Sequence, residues 1–109
     1  MNLTGESGST AIDAQGRGYG VSVNGADNVT ISGFMFTNDG EWTNWCVYLN
    51  GATNTTVIEN HFLDKGTGLY ESHDNSVINN VYEGQAAILL GTSWGNLIEG
   101  NQLHVSFPG

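Results

Sequence analysis

The stretch NTTVIENHFLDKGTGLYESHDNSVINNVY, residues 54–82, states one pattern twice. Ile58-Glu59-Asn60-His61-Phe62 returns as Ile78-Asn79-Asn80-Val81-Tyr82, 20 residues later. A third echo, Ile98-Glu99-Gly100, follows after another 20. Self-similarity at a fixed period of this size marks a repeat architecture, in which each copy is one structural unit that buries its apolar face against the next.

Working outward, four lines share one layout. Gly20-Val21-Ser22-Val23-Asn24-Gly25-Ala26-Asp27-Asn28 aligns with Cys46-Val47-Tyr48-Leu49-Asn50-Gly51-Ala52-Thr53-Asn54. Gly68-Leu69-Tyr70-Glu71-Ser72-His73-Asp74-Asn75 and Ala87-Ile88-Leu89-Leu90-Gly91-Thr92-Ser93-Trp94-Gly95-Asn96 continue the series. Each alternates as a strand does, ends in a polar turn closed by Asn, and runs on into a second short strand and then a third apolar piece. The closing Asn residues lie 26, 21 and 21 residues apart. Three strands in about twenty residues leave no room for crossover helices, and the loops are not the two-residue turns of hairpins. A solenoid of parallel strands satisfies both facts. Residues 1–19 read as an incomplete first coil and 20–109 as the regular ones, all in a single domain.

The alignment predicts specific columns. Gly33, Asn60, Asn80 and Gly100 form a corner that needs left-handed backbone, which Gly and Asn tolerate. Asn28, Asn54, Asn75 and Asn96 form a stacked amide ladder. Inward stacks are Ile31/Ile58/Ile78/Ile98, Val21/Val47/Leu69/Ile88 and Phe36/Phe62/Tyr82/Leu103, with Val57/Val77/Leu97 as an outward apolar ladder. Glu71 falls at an inward position, where a carboxylate needs a backbone or His73 partner. The coil ends expose apolar layers and strand edges, and no amphipathic cap is encoded, so a homo-oligomer through an end or a flat sheet face is expected.

Composition narrows the function. The 109 residues include 16 Gly, 13 Asn and one Pro; 39% are hydrophobic and 12% charged. The net charge is −9, with Arg17 and Lys65 the only basic residues. Nucleic-acid binding needs a basic patch to neutralise phosphates, so it is excluded. Anionic membranes and acidic polysaccharides are disfavoured for the same reason, save through a bridging Ca²⁺. Cys46 stands alone, so no disulfide closes within the chain. No apolar run approaches a membrane span, and the start carries no signal-peptide pattern, which leaves a cytoplasmic protein or an excised secreted domain.

With its Gly-Ile-x-Leu and Asn-x-Thr-Ile-x-x-Asn-x-Phe patterns, the chain over residues 20–105 resembles the right-handed parallel β-helix repeats of the pectate-lyase-like superfamily. The resemblance implies an all-β, right-handed parallel β-helix of about four to five short coils. That superfamily includes polysaccharide lyases, glycosidases, alginate epimerases and the repeat domain of periplasmic copper-associated proteins. Hosts of one fold do unrelated things, so function has to be argued from side chains.

Two stretches carry candidate chemistry. The 37–45 segment is an insertion in the repeat, and inserted loops on a scaffold are where function concentrates. Its Trp42, Trp45, Asp39 and Glu41, with the outward Tyr48 and Tyr70 beside it, suit a sugar: rings stack on pyranose faces and acids bond hydroxyls. The bland alternative is that the indoles cover an edge or a subunit contact. The second stretch is Tyr70-Glu71-Ser72-His73-Asp74. It is similar to the Tyr and His-Asp clusters of alginate epimerases and lyases, which implies Tyr70 and His73 as proton-exchanging groups with Glu71 nearby. Those sites also use a cation on the uronate carboxylate, and only Lys65 lies close in sequence. His61, His73 and His104 lack metal-ligand spacing, so no metal site is read; weak Ca²⁺ binding by Asp39, Glu41 or Asp64 is the sole cofactor reading. The expectation is a short, carbohydrate-associated, self-assembling module. The alternatives are a polysaccharide lyase or epimerase and a purely structural repeat.

Overall fold

The computed structural model describes residues 1–6, 10–13, 19–37, 45–84, 86 and 88–105, which hold fourteen strands and no helix. They run in coils. The first is β1 (Asn2–Thr4), β2 (Thr10–Asp13) and β3 (Val21–Asn24); the second is β4 (Thr30–Ser32), β5 (Phe34–Thr37) and β6 (Trp45–Asn50). The third is β7 (Thr56–Ile58), β8 (His61–Leu63) and β9 (Gly66–Tyr70); the fourth is β10 (Ser76–Ile78), β11 (Val81–Gly84) and β12 (Ile88–Gly91). The fifth comprises β13 (Leu97–Glu99) and β14 (Gln102–Val105). Each strand pairs in parallel with its counterpart one coil away, giving three sheets: β1-β4-β7-β10-β13, β2-β5-β8-β11-β14 and β3-β6-β9-β12. This is a parallel β-helix.

The core lies along the axis. The second sheet stacks Ile12, Phe36, Phe62, Tyr82 and Leu103 in register, as the sequence predicts. Phe36 and Phe62 lie 5.0 Å apart and nearly parallel, and Phe62 and Tyr82 lie 4.7 Å apart. The inter-strand spacing of a sheet thus sets the ring spacing. The Tyr82 hydroxyl, carried inside with its ring, bonds the Thr67 hydroxyl at 2.9 Å.

The other columns differ from the sequence expectation, by one residue in the first sheet and by two in the third. In the first sheet the inward column is Leu3/Ile31/Val57/Val77/Ile98. Val57 and Val77 are fully buried and do not face outward; Ile58 and Ile78 are the half-buried outward neighbours. In the third sheet the columns are Val21/Val47/Thr67/Ile88 and Val23/Leu49/Leu69/Leu90, so Leu69 replaces Glu71 as the inward residue. Glu71 sits past the end of β9, exposed and at φ 47°. A one-residue slip exchanges the two faces of a strand, as at Ile58 and Ile78, whereas the two-residue shift in β9 keeps Leu69 inward and carries Glu71 past the strand end.

The turn shows why. Paired bridges run Asp27–Thr53–His73–Trp94. The residues that follow them, Asn28, Asn54, Asp74 and Gly95, all have positive φ. The inward residue is always three beyond that left-handed one. Asn75 and Asn96, by contrast, stand one place later, in the interior column of Val29 and Thr55. The second corner behaves alike: Gly33, Glu59, Asn79 and Gly100 are left-handed, with φ of 80°, 58°, 55° and 67°. Asn60 and Asn80 are therefore not the corner residues; each follows the corner and points inward, buried.

Buried amides are tolerable only with partners, and these have them. The Phe34 N–H donates to Asn60 Oδ1 at 3.0 Å, Asn60 N–H to Asn80 Oδ1 at 2.9 Å, and Asn80 N–H to Asn101 Oδ1 at 2.9 Å. Each Asn Nδ2 then donates to a carbonyl of the preceding coil: Ile31, Val57 and Val77 respectively. A second ladder links Thr55, Asn75 and Asn96, and in a third the Ala52 and Ser72 N–H groups donate to the Ser72 and Ser93 hydroxyls. Side chains here supply the hydrogen bonds that backbone turning away from its sheet gives up.

Candidate functional site

The third sheet carries the candidate surface on its outer face. Counting back from inward Val47 by strict alternation would turn Trp45 inward. A β-bulge at Cys46 intervenes: Trp45 pairs with Gly66 and Val47 with Thr67, leaving Cys46 unpaired and buried. The extra residue re-aims the indole to the outer face, as bulges do. There it lies against Gly68, where a Cβ would come within 2.9 Å of the indole carbons. Gly68 is directly opposite Tyr48, and Tyr70 is opposite Asn50, so both tyrosines share that face. Trp45, Tyr48, Gly68, Leu69, Tyr70, Leu89 and Gly91 line a shallow groove of about 120 Å³. No charged side chain is among them. At its edge Tyr19 stacks on Tyr48 with ring centroids 4.6 Å apart. Partial desolvation raises the Tyr48 phenol above its ordinary pKa, with smaller contributions from Tyr19, Tyr70 and Glu71. The phenol stays neutral at physiological pH and acts as a hydrogen-bonding group. Trp42, Asp39 and Glu41 lie outside the described residues.

The second candidate cluster is divided. Tyr70 is 42% exposed and belongs to the groove. His73 lies beyond the left-handed Glu71 and buried Ser72, on the turn leading to the first sheet. Its Nδ1 pairs with Asp74 Oδ2 at 3.0 Å, and its ring stacks on Trp94 at 4.8 Å. The partner expected for Glu71 thus belongs to Asp74 instead. Glu71 is held by its backbone, whose N–H donates to the Gly91 carbonyl at 3.1 Å.

In comparison with known families, residues 5–86 fit the family model described as "Periplasmic copper-binding protein (NosD)". The chain belongs to the NosD family. No curated protein and no solved structure matches it. The match begins just after β1 and ends just past β11, and therefore includes the bulge, Gly68 and both groove tyrosines.

Three features of this NosD-family chain escape a sequence reading. Gly68 inside a strand was the available signal for a close approach, since a strand interior otherwise disfavours Gly. Leu89, 55% exposed, already faces outward by alternation from Ile88, but only its pairing with Gly68 brings it to the groove. On the outer face of the second sheet, His61 Nε2 and Glu83 Oε2 are bonded across neighbouring coils, which sequence separation hides. Among the described residues no group of three or more His, Cys, Asp or Glu is placed to hold a metal ion.

Proposed function

We propose that this NosD-family β-helix is a carbohydrate-contacting module whose contact surface is the outer face of the third sheet. The observation that supports this most is the Trp45 indole laid on Gly68, in one groove with Tyr48 and Tyr70. Flat, partly exposed rings with phenol hydroxyls at their edges offer a pyranose both a stacking face and hydrogen-bond partners. None of the described residues lining the groove is charged, which, with a net charge of −9, favours an uncharged glycan over a polyuronate.

Titration calorimetry against neutral oligosaccharides and polyuronates tests this. Binding to a neutral glycan that weakens roughly tenfold in Trp45→Ala and in Tyr70→Ala, about 1.4 kcal/mol each, supports the reading. Glycan binding that neither substitution changes would move the site elsewhere. No binding to any glycan ends the proposal.

The family's description also speaks of copper; among the described residues no group of three or more His, Cys, Asp or Glu is placed to hold it, although Met35 lies opposite His61 in the β5–β8 pairing. Copper favours Cys, Met and His donors. The Cys46 thiol is fully buried and pushed up to about 12 by that burial, so it is neither accessible nor a thiolate. His61 is engaged by Glu83, and His73 by Asp74 and Trp94, on different faces of the solenoid. No step through copper is derived for this chain.

A further inference from the structure

The register of the first sheet decides what that sheet shows to solvent. With Leu3, Ile31, Val57, Val77 and Ile98 turned inward, the residues on either side of each point outward. They form two files, Asn2/Thr30/Thr56/Ser76/Leu97 and Thr4/Ser32/Ile58/Ile78/Glu99, paired in register from strand to strand. Over the first four coils every member is a hydroxyl, an amide or an aliphatic residue, exposed or half-buried. None is charged, in a chain with eleven acidic residues.

The outer faces of the other two sheets are uneven by comparison. The second presents Met35, His61, Leu63 and Glu83, and the third sets Tyr48, Tyr70 and Leu89 around Gly68. In the first sheet each strand instead repeats one outward–inward–outward triplet, and no register shift interrupts these pairings. Amide ladders run along both flanks, through Asn60/Asn80/Asn101 on one side and Thr55/Asn75/Asn96 on the other. Such ladders hold each coil directly over the last and oppose the twist that sheets otherwise take. The two files therefore lie about 6.6 Å apart, with rungs every ~4.8 Å, as a flat rectangular grid.

A grid of this kind suits ordered water. Its hydroxyls bond water at fixed intervals, while the Thr and Ile methyl groups leave neighbouring waters bonded chiefly to one another. The oxygen repeats on a prism face of ice are close to both grid dimensions. We propose that the outer face of the first sheet binds ice. Thr30, Thr56 and Ser76 form the first file of contacts, and Thr4, Ser32, Ile58 and Ile78 the second. Leu97 and Glu99 break the grid at the fifth coil. The site lies on a different sheet from the aromatic groove and does not depend on what that groove contacts.

Thermal hysteresis and ice recrystallisation, measured on the intact chain, test the proposal. Ice grown in its presence should be faceted, should stop growing over a measurable gap below the melting point, and should recrystallise more slowly. Thr56→Lys, at the centre of the grid, is expected to abolish these effects, and Ser76→Lys is a second variant of the same kind. Leu63→Lys, in the same coil as Thr56 but on the outer face of the second sheet, is expected to leave them intact. Unchanged β-sheet circular dichroism in each variant separates lost ice contact from lost fold. Ice growth that the parent protein does not alter at millimolar concentration overturns the proposal. So does activity that survives both Thr56→Lys and Ser76→Lys, or that Leu63→Lys removes equally. Dimerisation that Thr56→Lys abolishes, in a protein without effect on ice, would assign the face to a second copy and would also overturn it.

Discussion

Trp45 rests on Gly68 with no space for a side chain between them; a Cβ at residue 68 would meet the indole at 2.9 Å. The two residues sit in neighbouring coils and are brought together by the parallel pairing of β6 and β9. Gly68→Ala is therefore expected to lift the indole from the sheet while the pairing persists. Near-ultraviolet circular dichroism should change, urea stability should move by less than about 1 kcal/mol, and affinity for a neutral glycan should fall roughly tenfold. Unchanged near-ultraviolet signal would show that the indole is not held there.

The amide ladder makes a graded prediction. Asn80 is fully buried, accepts the Asn60 N–H, and donates to the Val57 carbonyl and to Asn101. Asn80→Ala leaves buried backbone groups unpaired and should cost about 2–4 kcal/mol in urea unfolding. Asn101, half-buried on the outer coil, donates to the Val77 carbonyl in the same way. Asn101→Ala should cost about half as much, because water reaches the groups it abandons. Equal losses at both positions would contradict the ladder's burial gradient.

Alkaline pH should destabilise the fold through Cys46. Burial raises its thiol from 9.0 to about 12 in the folded state. Between those values the unfolded chain loses a proton that the folded chain keeps. The contribution is therefore fully present below pH 9 and is lost as pH rises toward 12, by an amount on the order of 4 kcal/mol. The Tyr82 phenol, raised chiefly by burial as well, acts in the same direction. Cys46→Ala should flatten the decline of stability with pH above 9 and leave the Tyr82 share. Rapid reaction of the native thiol with Ellman's reagent at pH 8 would contradict this burial.

The left-handed column after the third-sheet strands offers a gain. Its occupants are Gly25, Gly51, Glu71 and Thr92, the last two at φ 47°. A β-branched residue in that region is strained, whereas Gly is at ease there. Thr92→Gly is expected to stabilise by about 1 kcal/mol, and Glu71→Gly by somewhat less. A loss at Glu71 would restore it to the interior column, where Leu69 now stands.

The period, the parallel β-helix and the aromatic stack Phe36/Phe62/Tyr82/Leu103 are legible in the sequence alone, because equivalent residues recur at one spacing and a solenoid is the architecture that uses every recurrence. The candidate surface is half legible: Tyr48 and Tyr70 face outward by alternation. The rest depends on features that alternation cannot register. Turns absorb or add a residue without changing their composition, so Asn54 and Asn75 look equivalent while one is left-handed at the surface and the other is buried in a ladder. One-residue offsets place Val57 and Val77 inward, and a separate two-residue shift in β9 leaves Glu71 past the strand end. The bulge at Cys46 then reversed the direction of Trp45, and the indole came to rest on a glycine 23 positions away. Sequence by itself determined that coils stack and which rings lie at their centre, since burial of apolar surface follows periodicity. Only the tertiary structure decided the exact face of each remaining residue, because hydrogen bonds between coils, and not periodicity, set the register at the corners.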